Sequence, residues 1–195
     1  MTDRHLTVRP FRKEDTEDIR RICRETCSDS FLLEHEKVLY TKYADYYMTE
    51  EPENICILAG EGGRAQGYVL CSSDPEKYLR CWREIYLPRL RGFGLKCTLF
   101  QLYTMHEVKT MAAKGFPAHL HIDISPSFQR CGGGSALLDA LGEKLTTGGI
   151  PGVYLGCASS NKAGTAFYKK YGFEIDHRFP GGKVFVRSYG FASEK

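Results

Sequence analysis

The chain has 195 residues, a length typical of one domain and sufficient to bury a sizeable hydrophobic core. Its hydrophobic fraction of 42% and charged fraction of 26% are ordinary for a globular protein and argue against disorder. The formal net charge is +3, and the sequence shows no clustered basic stripe of the kind that binds nucleic acid. We therefore expect a single domain over residues 1–195 and no nucleic-acid partner.

The eight cysteines are scattered among apolar runs, and no Cys-x-x-Cys pair occurs. The nearest pair, Cys23 and Cys27, has no second pair that would complete a zinc site. The first residues form no apolar signal segment, and no apolar run reaches the roughly 20 residues that cross a bilayer. We expect a cytoplasmic protein with buried free thiols, no membrane association and no metal.

The first half of the chain predicts a mixture of strands and helices. Asp15 and Thr16 offer N-caps to a segment with helical spacing of apolar residues, and a glycine-rich turn separates two apolar strands. In chain order, the predicted elements are a strand at 6–10, a helix after Asp15, a helix at 32–48, strands at 55–59 and 67–71, and helices at 76–86 and 95–111.

The second half continues the mixture and contains the most informative loop. The predicted elements are a strand at 118–124, a glycine-rich loop, an amphipathic helix ending near Leu145, a strand at 152–157, a helix at 161–171, and strands at 173–179 and 184–187. Repeats and linkers are absent from the sequence. This order of elements predicts one α/β domain.

The loop Gln129–Gly134 lies between a predicted strand and a predicted helix, which aims free backbone N–H groups and the positive helix end at one point. Such a site suits an anion such as phosphate. A Walker loop would need a Lys-Ser/Thr pair, which does not follow here, and a dinucleotide fingerprint would need a small residue where Leu137 stands. Both of these readings are weakened.

A third interpretation fits two motifs together. Gln129–Gly134 (Gln-Arg-Cys-Gly-Gly-Gly) resembles the Gln/Arg-x-x-Gly-x-Gly/Ala signature of the GNAT superfamily of N-acetyltransferases, and Asn161–Phe173 resembles its second hallmark. The resemblance implies a GNAT-like α/β (α+β) fold, with a central, mixed, mostly antiparallel sheet of 6–7 strands flanked by helices. It also implies acetyl-coenzyme A as acyl donor. Residues 118–173 also resemble the acetyltransferase-like domain of some O-GlcNAcases and its free-standing bacterial relatives.

The resemblance assigns contacts with acetyl-CoA to the loop, the preceding strand and the later helix. The loop would hold the pyrophosphate and the strand would line the pantetheine arm. Asn161 has an alternative role as a helix N-cap, which is compatible with a cofactor contact. The expected cofactor-binding residues are Ile122, Ile124, Gln129, Arg130, Cys131, Gly132, Gly133, Gly134, Ser135, Asn161, Ala163, Phe167 and Tyr168.

Acetyl transfer to an amine needs a base for the amine and a proton donor for the leaving thiolate. By resemblance, Tyr168 matches the family tyrosine near the coenzyme sulfur; its alternative role is packing. Asp123 is a candidate base, and it shares one strand face with His119 and His121 while the other face packs inward. A structural Asp123, with water chains as base, is an open alternative, and the two histidines lack a third metal ligand.

The acceptor is the least defined part of the prediction. Four tyrosines lie where the early helices of this family wall the acceptor site, and half of them could belong to the core: Tyr40, Tyr43, Tyr46 and Tyr47. We expect a small-molecule or peptide amine acceptor, with monomer and homodimer both open. The alternatives are a catalytically silent acyl-CoA-binding domain (a pseudo-acetyltransferase) and an interaction domain whose loop is blocked by side chains.

Overall fold

The computed structural model describes residues 5–190, apart from the side chain of Lys96. Its strands are β1 (Thr7–Pro10), β2 (Cys56–Ala59), β3 (Ala65–Ser72), β4 (Ala118–Ile124), β5 (Gly152–Ala158), β6 (Glu174–Phe179) and β7 (Gly182–Ser188). They form one seven-stranded sheet in the order β1-β2-β3-β4-β5-β7-β6. Neighbouring strands are antiparallel except β4 and β5, which are parallel. The predicted α/β (α+β) fold, with a mixed, mostly antiparallel sheet of 6–7 strands, is confirmed.

The helices flank this sheet and connect its strands. They are α1 (Thr16–Thr26), α2 (Ser30–Glu34), α3 (Glu36–Tyr40), α4 (Tyr46–Glu50), α5 (Pro75–Cys81), α6 (Leu87–Leu90), α7 (Leu95–Ala113), α8 (Gly133–Thr147) and α9 (Lys162–Lys170). Short 3-10 turns lie at Lys13–Asp15, Pro52–Asn54, Glu61–Gly63, Arg91–Phe93 and Pro126–Phe128. Among residues 5–190, no helix is both long and apolar enough to cross a membrane.

Two helical segments contain a wider π turn. Thr41–Asp45 joins α3 to α4, and Trp82–Tyr86 joins α5 to α6. Insertions of this type shift the faces that the flanking turns present, and they are frequent at functional sites. The helix predicted over 32–48 is also interrupted at His35, whose φ of −123° and ψ of 65° leave the helical region.

The hydrophobic core covers both faces of the sheet. On one face, the helices of the first half bury an aromatic cluster that includes Tyr46, Tyr78 and Trp82. On the other face, α8 and α9 cover a cluster that contains four leucines of α8 at helical spacing: Leu137, Leu138, Leu141 and Leu145. The central strand β4 is therefore enclosed on both sides.

Asp15 corrects one detail of the sequence prediction. It lies at the N-cap position of α1, but its side chain makes no capping bond to the helix. Instead the carboxylate accepts two hydrogen bonds from the Arg9 guanidinium, at 2.7 and 2.6 Å, and one from the Arg12 backbone N–H at 2.8 Å. Burial alone would raise the Asp15 pKa, but these partners outweigh burial and lower it. Charge-assisted pairing with Arg9 thus replaces capping.

Candidate active site

The glycine-rich loop leaves β4 and leads into α8. Gly132 precedes the helix with a φ of 80°, a left-handed conformation that suits glycine, and no atom lies within 4 Å of the position its Cβ would take. Arg130 also has a positive φ, of 62°, which is uncommon for a residue with a side chain and costs energy. Since Gln129 to Gly132 are exposed, the interaction-domain alternative, which needs a blocked loop, is not favoured.

The start of α8 directs backbone donors towards this loop. Gly132 occupies the N-cap position of α8, and within the described residues no side chain caps this helix. The first backbone N–H that bonds within the helix is that of Ala136, which donates to the Gly132 carbonyl at 3.2 Å. The N–H groups of Gly133, Gly134 and Ser135 have no intrahelical partner, as in the first turn of any α-helix. Together with the helix dipole they form a site that fits a phosphate.

The three glycines have different structural roles. A Cβ at Gly133 would lie 2.4 Å from Cδ2 of Leu58, and a Cβ at Gly134 would lie 3.0 Å from Cζ of Phe167. Glycine at these two positions lets α8 approach β2 and α9 closely. Only Gly132 combines a left-handed φ with open space, so it is the glycine that shapes the loop for a ligand.

Hydrogen bonds fix the loop to the end of β4. The Gln129 side chain donates from Nε2 to the Ile124 carbonyl at 2.9 Å, and the Ser125 backbone N–H donates to the Gln66 carbonyl at 2.8 Å. From α1, Arg21 donates to the Ser125 hydroxyl at 3.1 Å. The position of the loop is thus determined by β3, β4 and α1 together.

A cleft opens between β4 and β5. These strands pair only at their first residues, Ala118 with Val153 and His119 with Tyr154. Beyond that point, in the described sheet, the β4 edge that faces β5 has no ladder partner. Its backbone N–H and C=O groups could bond an extended ligand that carries amide groups. Ile122 and Ile124 lie on this stretch, half-buried against the α8 side of the core.

Asp123 lies on the same stretch of β4, on the opposite face. The Tyr68 hydroxyl donates a hydrogen bond of 2.8 Å to its carboxylate. Burial raises the pKa of Asp123 to about 6, and the Tyr68 hydrogen bond opposes this rise. A carboxylate with this pKa is ionised at pH 7 and is a stronger base than an exposed aspartate.

Tyr168 is on α9, across the cleft from β4. Its ring packs among Phe167, Phe173 and Phe185 at centroid distances of 5.4, 5.9 and 5.5 Å, so the packing role predicted as its alternative is present. Burial raises the Tyr168 pKa above its ordinary value, and the negative charge of Asp123 raises it further. The structure thus brings the two predicted catalytic residues within electrostatic reach of each other, and Tyr168 is protonated at neutral pH.

The polar face of β4 is buried at His119 and half-buried at His121 and Asp123, so both faces of this strand are packed. His119 is 5% exposed, and neither ring nitrogen has a partner among the described residues. Its ring lies 4.5 Å from that of Tyr78 and 5.6 Å from that of Tyr154. Burial lowers the pKa of His119 to about 3 and that of His121 to about 4, so both imidazoles are neutral at pH 7.

The predicted tyrosine wall divides into two halves. Tyr46 and Tyr47 are each 1% exposed and belong to the core. Tyr40 and Tyr43 are half-buried, and the Tyr43 ring meets that of His121 edge-on at 5.3 Å. The core tyrosine Tyr47 also meets His119 and His121, at 5.8 and 5.5 Å, so Tyr43 is the half-buried tyrosine of the set that lies beside the polar face of β4.

Asn161 acts as the N-cap of α9, because its side chain accepts the Gly164 N–H at 2.7 Å. The alternative role predicted for it is therefore present. Ala163 is exposed in the first turn of the same helix, and Phe167 lies against Gly134 at the start of α8. This arrangement places the predicted residues of α9 beside the glycine-rich loop, and their contacts with a cofactor stay a prediction.

The cysteines need one correction. Cys157 is buried as expected, but Cys131 is exposed in the loop and Cys27 is half-buried. Within residues 5–190, no group of three histidine, cysteine or acidic side chains is arranged to hold a metal ion.

Tyr68 is the site residue that sequence reasoning missed. It faces Asp123 in the antiparallel register of β3 and β4. The two strands are separated in the chain by α5, α6 and α7, so this pairing is not visible from local patterns. The alternation of side chains along β3 assigns Tyr68 to one face of the sheet. It would have indicated the contact with Asp123 only together with the knowledge that β3 pairs with β4.

Comparisons with known proteins agree with this geometry. The model of the acetyltransferase (GNAT) family matches residues 16–173. The crystal structure of SsHAT is 27% identical, with a TM-score of 0.78 over 94% of this chain and 98% of that chain. The ribosomal-protein-S18-alanine N-acetyltransferase from Escherichia coli is 16% identical, with a TM-score of 0.58 over 97% of both chains. The PaiA N-acetyltransferase from Thermoplasma acidophilum, solved with coenzyme A, is 14% identical, with a TM-score of 0.60 over 95% of this chain and 99% of that chain. Since the family model covers most of the sequence, the chain belongs to the acetyltransferase (GNAT) family.

Proposed function

We propose that this protein transfers an acetyl group from acetyl-coenzyme A to the amine of a small molecule or a peptide. The observation that carries the proposal is the position of Asp123 and Tyr168 beside the cleft between β4 and β5. There the negative charge of Asp123 raises the pKa of Tyr168. Similar structures are described as N-acetyltransferases, and one of them was solved with coenzyme A.

The described residues fit the donor at two places. We expect the pyrophosphate to bind the uncapped start of α8, where Arg130 adds a positive charge and Gly132 leaves space. We expect the pantetheine arm to lie along the unpaired β4 edge at Ile122 and Ile124. The other residues of the proposed donor site are Gln129, Cys131, Gly133, Gly134, Ser135, Asn161, Ala163, Phe167 and Tyr168. The donor supplies the acetyl group as a thioester.

The two candidate catalytic residues have complementary proton affinities. Asp123 is ionised at pH 7 and can take a proton from the acceptor ammonium, directly or through water, so that the amine lone pair attacks the thioester carbon. As the new C–N bond forms and the C–S bond breaks, Tyr168 can donate its proton to the departing sulfur. Tyr168 then regains a proton from solvent, and Asp123 and the product nitrogen release theirs.

The alternative is a domain that binds acyl-CoA without turnover. Such a domain would need the loop and the β4 edge, but it would need neither the Asp123 carboxylate nor the Tyr168 hydroxyl. The raised pKa of Asp123 favours turnover, because perturbed carboxylates cluster at catalytic sites.

One experiment separates the two functions. Acetyl-CoA binding is measured by calorimetry, and release of free coenzyme A thiol is then followed during a screen of small amines and peptide N-termini. Binding together with amine-dependent thiol release supports acetyl transfer. Binding without thiol release for any amine would favour the silent domain, and failure to bind acetyl-CoA would exclude both.

Three finer points are also proposals. The motifs of residues 118–173 support a closer relationship to the acetyltransferase-like domain of O-GlcNAcases. The continuous seven-stranded sheet supports a single domain over residues 1–195. The scattered cysteines, which are all free thiols in the structure, support a reducing, cytoplasmic environment.

A further inference from the structure

Lys42 is held beside the polar face of β4 in an apolar setting. Its Nζ lies 3.9 Å from the centroid of the Phe100 ring and 5.3 Å from that of Tyr43. Lys42 and Tyr43 both belong to the π turn Thr41–Asp45, which changes the face that this helical segment presents to the sheet. Phe100 is 44% exposed on α7, so the lysine lies near the surface between α7 and this turn.

The Lys42 ammonium has no anionic partner of its own. Within residues 5–190 it makes no hydrogen bond and no salt bridge, although its side chain is half-buried. Asp29 attracts it, but the Asp29 carboxylate accepts the Leu32 N–H at 3.3 Å and forms no ion pair with it. Burial lowers the Lys42 pKa, because two aromatic faces replace only part of the lost hydration.

Lys42 and Asp123 belong to the same side of the sheet. The positive charge of Lys42 acts on His121, and the Tyr43 ring packs on the same imidazole. His121 and Asp123 are two positions apart on β4, a separation of about 7 Å along a strand. An unpaired cation therefore lies beyond the neutral His121, on the side of the cleft where the acceptor amine would meet Asp123.

We propose that the acceptor carries an anionic group, a carboxylate or a phosphate, in addition to its amine, and that Lys42 binds this group. The proposal rests on the acetyltransferase function argued above, since it places the amine at Asp123. The spacing selects molecules in which several bonds separate the amine from the anion. Tyr43 and Phe100 would contact the chain of atoms between the two groups.

Product-like probes test this inference without requiring turnover. Three amides are titrated into the protein by calorimetry, with and without coenzyme A: N-acetyl-4-aminobutyrate, O-phospho-N-acetylethanolamine and the neutral N-butylacetamide. The expected result is that one or both anionic probes bind about tenfold or more tightly than the neutral probe, because a charge-assisted contact is added. The probe with the higher affinity identifies the anion as carboxylate or phosphate.

Lysine variants assign the preference to one side chain. Lys42→Met should remove the preference, and Lys42→Arg should retain it. Lys37→Met is the matched control, because Lys37 is exposed on α3 in the same helical segment, and it should behave as wild type. Equal affinity for the three probes, no binding of any of them, or a preference that survives in Lys42→Met would overturn the proposal.

Failure of the wider function gives a different result. If acetyl-CoA does not bind but the Lys42-dependent preference is present, the anion site stands and acetyl transfer is rejected. If acetyl-CoA is turned over with amines but the anionic probes show no preference, acetyl transfer stands and the anion site is rejected.

Discussion

The Tyr68 hydroxyl donates a 2.8 Å hydrogen bond to the Asp123 carboxylate across the β3–β4 pair. This bond stabilises the charged form of Asp123, whereas burial raises its pKa to about 6. The two opposing effects set the proton affinity of the candidate base. They also connect its chemistry to the stability of the fold, because the same carboxylate is costly to keep ionised in the sheet.

Asp123→Asn should remove the base with little change in shape. We expect wild-type kcat/KM to rise with pH through about 6, as Asp123 loses its proton. In the variant, this acidic limb of the pH profile, the rise of kcat/KM through pH 6, should be absent, and kcat should fall by about 10²-fold. The measurement is a pH–rate profile of thiol release. Asp139→Asn is the control, since Asp139 is an exposed carboxylate that accepts from Tyr171. An unchanged profile in Asp123→Asn would leave water as the base.

The same variant should be more stable than wild type at alkaline pH. The folded pKa of Asp123, about 6, is above its unfolded value of 3.8. The folded state thus favours the protonated form of Asp123. The stability that this protonation contributes is fully present below pH 3.8 and is lost as the pH rises through about 6. The penalty above this range is up to about 3 kcal/mol, from the size of the shift. Urea unfolding at pH 8 and pH 4 should show a gain for Asp123→Asn at pH 8 that disappears at pH 4.

Tyr68→Phe should move the acidic limb of the pH profile upward. Loss of the hydrogen bond leaves burial less opposed, so the apparent pKa of Asp123 should rise by about one unit. Tyr86→Phe is the matched control, because the buried Tyr86 donates to a different carboxylate, that of Glu50, at 3.2 Å. A limb that stays in place in Tyr68→Phe would show that Asp123 does not control the profile.

Tyr168→Phe should impair turnover far more than donor binding. The ring packs in the aromatic cluster without help from its hydroxyl, for which the structure shows no hydrogen bond among the described residues. We expect kcat to fall by about 10²-fold, with a much smaller change in the dissociation constant for acetyl-CoA, because the ring that would contact the donor is kept. Tyr171→Phe, at the end of the same helix, loses only a surface bond to Asp139 and should keep wild-type kcat. Equal rates for the two variants would show that Tyr168 is not the proton donor.

Local patterns predicted more of the fold than of the site. The alternation of β4 and the turn at Gly132 depend on neighbouring residues, so the strand and the loop could be read from the sequence. The Tyr68–Asp123 contact depends on strand register, and the position of Lys42 depends on a π turn that packs near α7. The shared face of His119, His121 and Asp123 follows from strand alternation, but the burial of His119 depends on helices that cover both faces of the sheet. Such contacts are tertiary and leave no periodic signal.

Gly133→Ala should destabilise the protein through one identifiable collision. The new Cβ would lie 2.4 Å from Cδ2 of Leu58, and overpacking of this kind costs about 1–3 kcal/mol. Leu58→Ala removes the colliding atom, so the double variant should be less destabilised than the sum of the single variants by about 1 kcal/mol.

Gly142→Ala is the matched control in the same helix, because its Cβ would be at an ordinary 3.5 Å from Tyr189, and it should stabilise by about 0.5–1 kcal/mol. The free energies of unfolding in urea test the cycle. Strict additivity would mean that the cost of Gly133→Ala does not come from the collision with Leu58.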